Sequence, residues 1–161
     1  MFKGRASLES TKTFLEGHEL HVNQRRLFCD VQVSSIAVGT YLGNMDEVTD
    51  FKVTKACVDA VMEGCNFFDS AINYRGQRAE KSIGEAIKQL ILSNKVKREE
   101  IFISTKGGFV PYEGKPVTDL AKLFEQEYIS KNLAKKADLI SGCHCMEPKY
   151  ILDQIHRSQK N

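Results

Sequence analysis

Two consecutive stretches decide the fold: Asn66-Phe67-Phe68-Asp69-Ser70 and, behind it, Ala79 to Leu92. The first is a short apolar run that closes on polar residues. The second sets Ile83, Ile87, Leu90 and Ile91 along one side of a helix. Together they read as a strand followed by a helix. The same order stands just upstream, where Ser35-Ile36-Ala37-Val38-Gly39-Thr40 is an apolar run and Phe51 to Glu63 carries Val53, Cys57, Ala60 and Val61 at helical spacing, closed by Gly64. Downstream, Glu100-Ile101-Phe102-Ile103-Ser104-Thr105-Lys106 predicts a third strand between charged Lys97-Arg98-Glu99 and Gly107-Gly108. Strands alternating with helices of about a dozen residues imply right-handed crossovers and a parallel sheet buried on both faces. The predicted class is α/β.

Outward from this centre the signals weaken. Residues 1–18 are polar and mixed, and 19–34 alternate (Leu20, Val22, then Leu27, Cys29, Val31, Val33) across Asn23-Gln24-Arg25, which predicts a small hairpin turning there. Beyond the third strand the rhythm breaks. Pro111, Gly114 and Pro116 mark a loop, Leu120 to Leu133 predicts one irregular helix, and Ala137 to Cys145 a short extended piece. The span 110–146 therefore reads as an insertion. Pro148 suits the first turn of a last helix, 147–161, with Tyr150, Ile151, Leu152 and Ile155 on its buried face.

Composition narrows the function classes. With 42% hydrophobic and 27% charged residues in 161, the chain can bury one core, so one domain over 1–161 is expected. A net charge of +2 gives no field that argues for nucleic acid as a partner. The amino-terminal stretch lacks the apolar run of a signal peptide and no later stretch predicts a membrane span, so a cytoplasmic location is expected. The odd count of five cysteines fits reduced thiols.

Three polar residues fall where the predicted strands end: Thr40, Asp69 and Lys106. The carboxyl edge of a parallel sheet gathers catalytic groups, because loops vary there while the strands hold their roots. Tyr74, five residues after Asp69, can curl back over that edge. A lysine ammonium beside a tyrosine favours the phenolate, and an aspartate holds that lysine charged and oriented. Such a tyrosine can protonate a carbonyl oxygen as hydride reaches the carbon. Taken singly, Asp69 reads as a helix cap and Lys106 as a strand-end lysine; the combination carries the chemistry. Cys143-His144-Cys145 invites a metal or redox reading, but in an extended segment His144 points away from the two cysteines, and packing is preferred.

Phe68-Asp69-Ser70-Ala71-Ile72-Asn73-Tyr74, with Gly76 and Glu80 to Gly84 beyond it, resembles the aldo-keto reductase segment that bears an aspartate and a tyrosine of the catalytic tetrad. Ile103-Ser104-Thr105-Lys106 resembles the tetrad lysine strand, Gly39-Thr40-Tyr41 the first strand end, and 19–34 the hairpin that plugs the barrel bottom. The resemblance runs from about Glu19 to Phe109 and resumes in the last helix. It implies a (β/α)8 TIM barrel, of which 35–109 would supply the first three strands and two helices and 147–161 the third helix. It implies NADPH or NADH as cofactor, aldehydes or ketones as substrates, Asp69, Tyr74 and Lys106 as catalytic residues, and Gly39, Thr40, Tyr41 and Asp69 as cofactor-binding residues. The tetrad histidine belongs after the last helix, where this chain has no residue; His144 precedes that helix and His156 lies within it.

A full barrel needs roughly 200 residues or more. A truncated chain, inactive alone and self-associating through exposed sheet edges, is therefore the expectation. A half barrel acting as a non-catalytic partner-binding module is the alternative. A metal or redox protein centred on Cys143 and Cys145 is the third and least favoured reading.

Overall fold

The computed structural model describes residues 4–114 and 116–161. Met1 to Lys3 of the polar stretch 1–18, and Lys115 of the loop after the third strand, lie outside the described residues. The described residues form two small sheets and five α-helices, and the class is α/β as predicted. At its centre, β3 (Val38–Gly39), β4 (Phe67–Asp69) and β5 (Phe102–Ser104) run parallel in that order. Helix α2 (Glu47–Met62) crosses from β3 to β4 and α3 (Arg78–Leu92) from β4 to β5, packed against each other.

Side-chain alternation explains which face the helices cover. Val38, Phe68 and Ile103 join the core with Cys57 and Val61 of α2 and with Ile83, Ala86, Ile87 and Leu90 of α3. Fully burying each Ile or Leu contributes roughly 1.5–3 kcal/mol, so this layer dominates the stability of the sheet. Asp46 caps α2 by accepting the Thr49 N–H at 2.7 Å, and Gly64 takes φ +87 just past its end, where a side chain would be strained.

Three expectations are corrected. Residues 8–17 form a helix, α1 (Leu8–Gly17), capped by Ser7; Thr11, Phe14 and Leu15 bury one side of it. The surrounding polar residues hid that short stripe. The hairpin is present as β1 (Arg25–Phe28) and β2 (Val31–Ser34), but it turns at Cys29-Asp30, not at Asn23-Gln24-Arg25. Both turn residues have positive φ (47° and 62°), as a two-residue loop that matches strand twist requires, and Val22–Gln24 is a single 3₁₀ turn. Asn66 fixes this hairpin to the sheet: buried completely, it accepts the Ser34 N–H at 2.9 Å and donates to the Gln32 and Glu100 carbonyls.

The third correction concerns α5 (Pro148–Ser158), whose span agrees with the sequence but whose buried side is Tyr150 and Gln154. Leu152 and Ile155 are about half exposed, because α5 packs on the glycine loop that follows β5 and that loop demands a hydrogen-bonding side chain. Ahead of it, α4 (Leu120–Phe124) runs into a π-helical turn, Glu125–Ile129, which makes the single irregular helix anticipated there. Phe124, Tyr128 and Tyr150 stack at the centre of this second, smaller core.

Candidate active site

The parallel register sets Gly39 beside Asp69 and Asp69 beside Ser104, all on the sheet face opposite α2 and α3. The ladder continues past the named strands. Ser70 N–H donates to Ser104 O at 2.9 Å and Ile72 N–H to Lys106 O at 3.2 Å, so Lys106 is held in line with the strand end. Its ammonium donates to Asp69 Oδ2 at 2.8 Å and to the Ser70 carbonyl at 2.7 Å. The chain then turns, with Tyr74 N–H donating to Ala71 O, and brings the Tyr74 ring back so that the Lys106 ammonium lies 4.9 Å from its centroid. Asp69, Tyr74 and Lys106, placed together by sequence reasoning, meet at one sheet edge.

Electrostatics follow from this geometry. Partial burial disfavours the Lys106 ammonium, but the hydrogen bond to the Asp69 carboxylate, the nearby Tyr74 phenol and the charge of Asp69 outweigh it. The lysine pKa is accordingly raised above its ordinary value. Lys106 stays charged through the neutral range and is available to stabilise developing negative charge on the phenol oxygen.

The first strand end contributes differently from residue to residue. Tyr41 is two-thirds exposed and meets Tyr74 edge to face at 4.9 Å between centroids. Gly39 is exposed, and a side chain built there would meet nothing within 4 Å. Thr40 is buried, with its hydroxyl donating to Ser70 Oγ at 3.0 Å and within reach of Asp69 O at 3.2 Å. Thr40 thus braces the strand that carries Asp69 and turns away from the open face.

Two polar residues at this edge were given no role by the sequence. Glu80 is buried at the start of α3, where it accepts from the Thr105 hydroxyl at 2.5 Å and from Asn161 Nδ2 at 2.8 Å. Gln154 of α5 holds the loop after Lys106: the Gly108 N–H donates to its Oε1 at 2.7 Å and its Nε2 donates to the Phe109 carbonyl at 3.0 Å. Both look like solvated helix residues until the tertiary fold buries them. Their only legible clue is helical spacing from a buried neighbour, Ile83 for Glu80 and Tyr150 for Gln154.

The short extended piece expected over 137–145 is instead a 3₁₀ turn, Lys136–Asp138, and a tight turn that brings His144 back beside Ile140, so that Cys143 closes the turn and His144 and Cys145 run along this same loop. Val110 N–H donates to Cys143 O, Cys145 N–H donates to Gly108 O, and His144 stacks edge-on against Phe109. Cys145 is buried, and among the described residues no three His, Cys, Asp or Glu side chains gather at one point.

No curated protein matches the chain at a significant level. The family model described as "Aldo/keto reductase family" matches residues 35–161, which takes in every strand and helix that builds this edge and leaves out α1 and the hairpin. Because that span is well over half of the sequence, the chain belongs to the aldo/keto reductase family.

Proposed function

We propose that this chain carries the proton-donating part of an NAD(P)H-dependent reductase that converts a small aldehyde or ketone to an alcohol in the cytoplasm. Tyr74 is the donor, Lys106 is the cation beside its ring, and Asp69 holds Lys106 charged and in place. The observation that carries this reading is the position of one ammonium 2.8 Å from a carboxylate and 4.9 Å from a tyrosine ring at the carboxyl edge of a parallel sheet. A carbonyl oxygen beside Tyr74 takes the phenolic proton as negative charge develops on it, and the adjacent ammonium stabilises the phenolate left behind.

The open face fits a flat cofactor ring. Gly39 leaves space free, and the exposed Tyr41 ring two residues on stands against Tyr74. When bound, NADPH or NADH supplies the hydride to the carbonyl carbon. Gly39, Tyr41 and Asp69 are the residues that would line its nicotinamide side, with Thr40 supporting them from behind. In the same reading, β3, β4 and β5 are the first three strands of a (β/α)8 barrel, α2 and α3 its first helices and α5 its third. Residues 110–146 are then an insertion, and the hairpin closes the barrel bottom.

The test is titration with NADPH, followed by nicotinamide emission, and then addition of a small aldehyde. Carbonyl-dependent oxidation should fall by about 10²–10⁴-fold in Tyr74→Phe. Turnover that persists at the wild-type rate in Tyr74→Phe would sink this assignment. One observation favours a partner-binding reading instead: Leu27 and Phe28 are 71% and 46% exposed on the hairpin. That reading predicts a biological activity indifferent to Tyr74→Phe.

A further inference from the structure

The residue after the proposed donor is the most unusual charged group in the molecule. The Arg75 side chain is only 2% exposed. Its backbone has φ +50, and Gly76 and Gln77 follow at +60 and +69, so three consecutive residues take the left-handed conformation. Such backbone is costly for side-chain-bearing residues and persists only where the surroundings enforce it.

The guanidinium supplies that enforcement. Arg75 Nη1 donates to the Asn44 carbonyl at 3.4 Å, in the loop between β3 and α2; Nη2 donates to Ser82 Oγ of α3 at 3.0 Å. Nη2 also lies 3.0 Å from Oδ1 of Asp50 on α2, a charge contact without hydrogen-bond alignment, and the other Asp50 oxygen pairs with Arg78. One buried cation therefore ties together α2, α3 and the loop that begins at Tyr41. The loop is moulded to this anchor: Gly43 takes φ +110, and a side chain built there would meet the Thr49 methyl at 2.5 Å, with the Arg75 stem at 3.8 Å.

The two aromatic residues of the site stand on the two segments that Arg75 joins. Tyr74 precedes it directly, and Tyr41 lies three residues before Asn44. Their rings meet edge to face at 4.9 Å, on the side where Lys106 approaches Tyr74. We infer that Arg75 is a positioning residue: its buried guanidinium locks the Tyr41 loop to the turn behind Tyr74 and so sets where the Tyr74 ring stands relative to Tyr41 and Lys106. Planar, fork-shaped donation into several acceptors suits arginine and not lysine, whose compact ammonium cannot span the same set. The inference rests on Tyr74 being the donor for its catalytic meaning, but the placement itself is measurable without turnover.

The experiment is NMR of the full chain with ring-labelled tyrosine, comparing wild type, Arg75→Met, Arg75→Lys and Tyr41→Leu. Tyr41→Leu calibrates the ring-current contribution of Tyr41 to the Tyr74 resonances. Arg75→Met should remove that contribution to the same extent and Arg75→Lys should not restore it, while Tyr128 and Tyr150, in the second core, keep their wild-type shifts. If Arg75→Met does not fold, Ser82→Ala, which removes only the 3.0 Å bond, should move Tyr74 in the same direction by less. A Tyr74 resonance unchanged in a folded Arg75→Met or in Ser82→Ala would overturn the inference. So would Tyr128 and Tyr150 shifts that move together with Tyr74, since the arginine would then be only a general prop of the fold. Loss of the Tyr41 contribution without any NADPH oxidation by the wild-type chain would uphold the placement and count against the reductase reading alone.

Discussion

The Asp69–Lys106 pair shows why position matters more than strength at this site. Both side chains keep 40–48% of their surface in water, so solvent screening limits their contribution to stability to under about 1 kcal/mol. Asp69→Asn should therefore change the urea-unfolding free energy by less than about 1 kcal/mol while lowering the Lys106 pKa, read by NMR of the lysine side chain. A loss of several kcal/mol would recast Asp69 as a structural residue. The sign of the pH dependence follows from the raised lysine pKa. The pair's contribution is present at neutral pH and is lost as pH rises through that pKa, above the ordinary 10.5. Asp69, Tyr74 and Lys106 were legible because strand ends can be located from apolar runs and the sheet edge then brings them together. Arg75, Glu80 and Gln154 were not, because a charged or amide residue near a helix start or on a helix looks solvated until its neighbours are known.

At the scale of elements, the loop after β5 depends on α5. Gly108 has φ +120 and lies against the His144 ring, and its N–H is satisfied by Gln154. The Tyr150 hydroxyl donates to Gly108 O at 3.3 Å from the same helix face. Gln154→Ala leaves both the Gly108 N–H and the Phe109 carbonyl without their partner, a cost of roughly 1–3 kcal/mol for a buried group. Chemical denaturation should show a loss in that range, and hydrogen exchange should show Gly108 opening first. An unchanged midpoint would mean that water replaces the amide without penalty. The extent of α5 was readable from Pro148 and its apolar spacing. The burial of Tyr150 was readable too, but the choice of Gln154 over Leu152 and Ile155 was not, since it depends on a tertiary partner with unpaired backbone groups.

For the whole molecule, the two cores share a chemical liability. Burial pushes the Cys57 thiol from 9.0 up to about 12 and the Tyr128 phenol from 10.0 up to about 12, and it raises Tyr150 as well. Each group binds its proton more tightly folded than unfolded. The stability this confers is complete below the unfolded pKa and is lost as pH climbs toward the folded one. Each pH unit in that interval costs about 1.4 kcal/mol per group. Thermal unfolding followed from pH 8 to 11 should show the midpoint falling from about pH 9, where the Cys57 thiol of the unfolded chain begins to ionise. Cys57→Ala, although less stable overall, should make that fall shallower between pH 9 and 10, leaving the Cys145 thiol, also raised by burial, to set what remains before the unfolded tyrosines ionise. A slope identical to wild type would show that Cys57 plays no part.

The same architecture sets how copies of the chain should behave toward one another. Among the described residues no strand pairs with the outer edge of β3 or of β5, so both present unpaired backbone groups. The apolar part of the sheet face away from α2 and α3 is partly covered by the hairpin, whose Phe28 packs on Phe67 and Phe102 at 5.6 Å between centroids. What remains open is the polar half of that face, around Asp69, Ser104 and Lys106. Association through the edges is therefore expected over association through the face. Light scattering should give a mass above 18.2 kDa that rises with concentration, and Phe28→Asp should leave that rise intact. A constant monomer mass across concentrations would rule out edge pairing, and a rise abolished by Phe28→Asp would move the contact to the hairpin side of the sheet.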